Sequence, residues 1–360
     1  MRAMKVWLIS LLVATTVSAQ EKSPDVPHDM EHMQHGSRQG GFMQGGMHHA
    51  VAKGVTLQTK VDDVTHTITL REGPINLPAS TSHMKMPQPP DLHWTIPMSG
   101  WLLAYSPKLV DANGNEVSRL VLHHTAFWNE NRVDFLCPNK EEHIFGAGSE
   151  MTNWGEVPGF GYRVEKGDQI RIETMVHNPT STSYEKVYLE VRIPYQEVDA
   201  PGATARKSYY PAWMDAKSCG SSSYDLTPGK NIKEGEVALK YSGVLLGVGG
   251  HMHDYGKRIV LEDVSRKETV VALDAKVDSQ GRLLGMPTVI FLDKGGYKLA
   301  AGDVLKISAT YDNPTGKMLR EGAMGIVVGA FVPDDDRQMA WLRRKAKPAS
   351  RQTAAISRDH

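Results

Sequence analysis

From residue 54 onward, apolar and polar residues alternate in short runs broken by Gly, Pro, Asn and Asp, the pattern of half-buried strands joined by turns. In QIRIETMVH (169–177) the alternation sets Ile170, Ile172, Thr174 and Val176 on one face. Arg171, Glu173 and His177 fall on the other, away from the apolar row. VYLEVRI (187–193) and DVLKISATY (303–311) repeat the pattern. Apart from a short helix expected near 335–345, no stretch has a helical period. The pattern predicts an all-β chain.

The chain also echoes itself. GYRVEKGDQIRIETMVHNPT (161–180) aligns without gaps to GYKLAAGDVLKISATYDNPT (296–315), with eight of twenty positions identical. Matched segments 135 residues apart imply two domains on one plan, rather than a short solenoid repeat. His177 in the first copy is Asp312 in the second, so one framework carries different chemistry at one point.

Histidines mark the positions where that chemistry could lie. In GVGGHMHDYGKR (247–258), His251 and His253 are two apart and share a strand face beside Gly247 and Gly249. Leu246, Val248 and Met252 are expected to point the other way, into a core. Two imidazoles on one face suit a metal ion. In LVLHHTAFW (120–128), His123 and His124 are adjacent, and a flat strand would send them to opposite faces. One ion could take both only with a local twist or through different ring nitrogens.

The two ends read differently from the middle. Arg2 and Lys5 precede the apolar run VWLISLLVA (6–14), and Val17-Ser18-Ala19 offers a cleavage site, so residues 1–19 read as a secretory signal. That run is too short to span a bilayer, which needs about 20 residues. Five histidines and four methionines punctuate HDMEHMQHGSRQGGFMQGGMHH (28–49), with almost nothing that could build a core. Residues 20–53 are therefore expected to be disordered, and imidazole mixed with thioether favours copper among the metals. Lys+Arg and Asp+Glu both number 41, which removes the basic surface a nucleic-acid partner requires. Cys137 and Cys219 are the only cysteines, and export would permit a disulfide between them; two buried thiols are the other alternative.

Taken in order, HHTAFW, VPGFGYRVEKGDQIRIETMVHN, HMHDYGKRIVLED, AAGDVLKISATYDNPTGK and EGAMGIVVGAFVP resemble the ascorbate-dependent copper type II monooxygenases. That family includes peptidylglycine α-hydroxylating monooxygenase and dopamine β-monooxygenase, and the likeness spans roughly residues 90–333. It implies two jelly-roll β-sandwich domains facing each other across a cleft. The corresponding boundaries are a first sandwich over 54–200, a linker over 201–230, a second sandwich over 231–335 and a polar tail over 336–360. It also implies two copper ions. His123, His124 and His177 would hold the electron-supplying ion, and His251, His253 and Met324 the ion at which O2 and a small organic substrate react. Ascorbate or an equivalent would be the reductant.

The chain departs from the family at the substrate. The arginine that anchors a peptide carboxylate in the amidating members, two residues before the His-x-His pair, is Gly249 here. Their polar contacts after the methionine ligand fall on Ile326 and Val328. A smaller or more apolar, non-peptidylglycine substrate is expected. The same ligands would also serve a secreted or periplasmic copper buffer without oxygenase activity, and that alternative stays open at this stage.

Overall fold

The computed structural model describes residues 50–150, 153–202, 205–219 and 222–344. The signal segment and nearly all of the His/Met leader lie outside the described residues. The leader's last residues do not: Val51 bridges to Gln88, so pairing begins a few residues before the expected boundary at 54.

The chain is all-β and forms two sandwiches of jelly-roll type. The first sets a seven-stranded sheet, centred on Thr67–Leu77 and Tyr184–Glu197, against a four-stranded one. The four-stranded sheet runs Leu92–Thr95, Gln169–Val176, Leu122–Val133, Glu141–Gly148, every pair antiparallel. Ile170, Ile172 and Val176 enter the core between the sheets with Phe127, Leu70 and Val191, as the alternation predicts, and Thr174 is buried alongside them.

In the second sandwich, Gly325–Pro333 and Gly243–Met252 form the centre of a five-stranded sheet edged by Tyr210–Asp215. Gly229–Ala238, Val304–Asn313, Gly256–Asp263 and Glu268–Asp274 form the facing sheet. The echo is structural. Asn178 and Asn313 are both buried at the end of their repeats. Each amide donates to the carbonyl four residues on, Thr182 or Lys317, at 2.8 Å. Each Oδ1 accepts from the hydroxyl of Thr180 or Thr315 at 2.7 Å. One Asn-Pro-Thr turn closes both copies.

Three expectations need correction. Residues 201–230 are not a linker throughout, because Tyr210–Asp215 pairs along its whole length with Gly325–Pro333. Its alternation sends Ala212 and Met214 into the second core, a period hidden in the sequence by the Pro, Gly and Ser around it. The polar tail does not begin at 336: the short helix expected near 335–345 is present as a 3-10 helix over Asp336–Leu342, whose Met339 and Leu342 complete the second core. Leu246 does not join that core either. A bulge between Leu245 and Val248 shifts the strand by one residue. Leu245 and Val248 turn inward, and Leu246 packs outward with Ala330, Val332 and the first sandwich's Phe160.

The two sandwiches are joined by more than chain. The turn after Leu122–Val133 inserts Phe135 into the second core, stacked on Phe331 at 5.2 Å. Two residues on, Cys137 forms a disulfide with Cys219, which follows Tyr210–Asp215. Arg343, past the 3-10 helix, pairs with Asp168 of the first sandwich at 3.1 Å.

Candidate metal centre

The adjacent histidines share a side because the strand is irregular there. Between Leu122 and His124 the pairing with Gln169–Val176 slips by one residue, a bulge that lets neighbours project together. Leu122 and Phe127 remain in the core, while the rings of His123 and His124 lie 5.1 Å apart on the side facing the second sandwich. His177 continues the polar face of its strand, and its N–H donates to the Val121 carbonyl at 3.1 Å. Its ring lies 5.0 Å from that of His123.

A fourth histidine joins them from the short 3-10 helix His83–Lys85. His83 stacks on His123 at 4.7 Å, nearly parallel. Its backbone is held by buried Gln88, whose amide donates to the His83 carbonyl at 3.0 Å and accepts from Val176 N–H at 2.8 Å. Gln88 thus pins the His83 segment beside the strand that ends at His177. His83, His123 and His177 offer ring nitrogens all within 4.8 Å of one another. This trio holds two of the three expected ligands, with His83 in place of His124. Sequence reasoning missed His83 because nothing in TSHMKMPQ sets it on a periodic face.

From the second sandwich come His251 and His253, with rings 5.5 Å apart and perpendicular. His251 is the second-last position in register with Gly325–Pro333, opposite Ile326, before Met252 opposite Gly325. Just beyond it, the Tyr311 hydroxyl accepts from the backbone N–H of His253 at 2.9 Å and of Met324 at 3.1 Å, and donates to the Met324 carbonyl. That phenol fixes both chain segments at the mouth of the sheet. Met324 is buried with Ile326 and Val328 against Trp154 and Trp213. Met318, its neighbour in the polar turn, is exposed.

The two histidine sets adjoin across the junction, with the rings of His123 and His253 4.8 Å apart. Both line a cavity of about 190 Å³ together with His83, His177 and Glu150, and Arg320 lies at its rim. His124 turns towards a smaller recess of about 20 Å³, shared with His251, His143 and Trp213. There His143 is sandwiched between Trp213 at 3.4 Å and Trp128 at 4.2 Å. Asp312, the counterpart of His177, is exposed on the second sandwich.

Burial, reinforced by neighbouring histidines, pushes His124 down to about 3 and holds His123 and His253 well below the ordinary imidazole range. Burial lowers His177 as well. His123, His124, His177 and His253 are thus biased towards the neutral imidazole, the form that ligates metal. His253 Nε2 is buried with no hydrogen-bond partner among the described residues, an arrangement a bound ion would satisfy. The residues present fit a soft-to-borderline metal such as copper.

No protein-family model matches the chain, and no curated protein matches it. Among solved structures it is similar to the STIV MCP, at 8% identity and a TM-score of 0.36, over 79% of this chain and 99% of that one. It is also similar to PNGF-II, at 9% identity and a TM-score of 0.35, over 84% of this chain and 64% of that one. The mavirus major capsid protein follows at 9% identity and a TM-score of 0.19, over 86% of this chain and 93% of that one. At these TM-scores none of them bears on what this chain does.

Proposed function

We propose that this chain is an exported copper-dependent monooxygenase of the ascorbate-dependent type. It would hydroxylate a C–H bond of a small organic substrate, sending one oxygen atom of O2 to the product and the other to water, with two electrons from ascorbate or an equivalent. The observation that carries this reading is the meeting of half-buried imidazoles from both sandwiches around one cavity, with His253 Nε2 lacking a hydrogen-bond partner among the described residues. His83, His123 and His177 would hold one copper. His251, His253 and the thioether of Met324 would hold the other, with His124 between the two sets. Bound copper would supply one-electron chemistry towards dioxygen.

The protein's own groups shape the rest. Met324, Ile326, Val328, Trp154 and Trp213 form an apolar wall that excludes water beside the second set. A cavity of about 190 Å³ is small for a ligand site, where roughly 300–1,000 Å³ is usual, and favours a compact substrate. The Cys137–Cys219 disulfide is in keeping with an oxidising compartment.

The test is stoichiometry followed by oxygen uptake. Copper-loaded protein should hold two tight ions per chain. With ascorbate and a panel of small C–H substrates under 18O2, it should place one labelled atom in product. Two tight coppers without oxygen uptake would replace the enzyme with a copper buffer, and fewer than two would remove the ligand assignment.

A further inference from the structure

Glu150 has no part in the ligand sets, yet it is buried and reaches across the junction. It follows the strand Glu141–Gly148 of the first sandwich, and its Oε1 is hydrogen-bonded to Nδ1 of His251 on the second. Room for the carboxylate is made by Gly148, where a Cβ would collide with it. A neutral imidazole has one N–H and one lone pair, and a carboxylate can only accept. With Nδ1 donating to Glu150, Nε2 is left as the nitrogen open to a ligand.

We infer that Glu150 is a positioning residue for the second-sandwich metal. It fixes the tautomer and ring orientation of His251 from the opposite sandwich, resting on the copper reading above. Outer carboxylates of this kind orient a ligating imidazole and raise its basicity, and their loss typically weakens metal binding about 10–100-fold. The consequence is specific to this arrangement: one domain supplies the ligand and the other decides which nitrogen it presents. Affinity at His251 then depends on the sandwiches being docked.

Nitrogen-15 NMR of the metal-free protein at pH 8, with labelled histidine, reads the tautomer directly. Wild type should show His251 as a single Nδ1–H form. Glu150→Ala should give a mixture of tautomers and weaken one of two coppers about 10–100-fold, leaving the other unchanged. Glu150→Gln, whose amide oxygen still accepts, should keep the single tautomer and recover much of the affinity. Gly148→Ala, which crowds the carboxylate, should behave like Glu150→Ala. An unchanged His251 tautomer with unchanged copper affinities in Glu150→Ala overturns the inference, as does equal weakening of both ions. If wild type binds no copper, the proposed function fails, and the tautomer still reports whether Glu150 sets His251. Should Glu150→Ala not fold, the Glu150→Gln and Gly148→Ala pair decides the question.

Discussion

The ring of His123, on the first sandwich, stands 4.8 Å from the ring of His253, on the second. Histidines expected to serve two centres across a cleft are neighbours in one cage.

His83→Ala should reduce the number of tight coppers from two to one. His83 completes the trio within 4.8 Å, and Gln88 holds its backbone in place independently of the ring. Competition against a chelator of known affinity measures this. Two unchanged tight sites in the variant would remove His83 from the ligands and restore His124 to that role.

Met324→Ile should keep the fold and Cu(II) binding while removing a sulfur scatterer from the X-ray absorption of the reduced protein. Isoleucine retains the apolar bulk that Met324 packs against Trp154 and Trp213. Thioether ligation matters most to Cu(I). Exposed Met318→Ile is the control and should change neither signal. Sulfur ligation persisting in Met324→Ile would make Met324 a packing residue.

Glu72 predicts an alkaline-side weakness. Burial pushes its carboxyl up to about 7, and its Oε2 accepts from the Thr174 hydroxyl at 2.8 Å. A carboxyl with a raised folded pKa favours the fold below its unfolded value. That contribution is lost as pH climbs from about 4.5 to about 7, at a cost of roughly 3 kcal/mol. Glu72→Gln keeps an acceptor for Thr174 and cannot ionise. Its Tm should exceed wild type by several degrees at pH 8 and match it near pH 4.5. A constant difference across that range would assign the effect to packing.

Replacing both cysteines by serine should lower stability by about 4–5 kcal/mol in the chain-entropy model, because the bond closes a long loop, with a sequence separation of 82. Denaturant unfolding of Cys137→Ser/Cys219→Ser against wild type gives the value. A loss below about 1 kcal/mol would mean that Phe135 and the Arg343–Asp168 pair hold the junction without it.

Periodicity made much of the architecture legible. The strand faces of 169–177 follow from spacing, because a half-buried strand records its burial every second residue, and the duplicated plan follows from the matched residues of 161–180 and 296–315. Spacing fails where the backbone inserts a residue. The bulges at His123 and at Leu246 reverse parity without leaving a mark in composition. That is why adjacent histidines were expected on opposite faces and Leu246 in the wrong core. His83 and Glu150 lie outside the strands, and only tertiary folding brings them to the cavity. Met324 is singled out only by the family resemblance, and the Tyr311 clamp on its backbone lies thirteen residues away with no local signal.

Phe135 belongs by sequence to the first sandwich and by packing to the second. During synthesis the first sandwich is complete before Gly325–Pro333 exists, so the hairpin tip carries an exposed aromatic knob until Phe331 arrives to cover it. The later copy is then finished on a template supplied by the earlier one, since it cannot fill its own interior. The dependence runs one way: a second sandwich cut out on its own would leave Phe331 without its stacking partner and open a hole in its core.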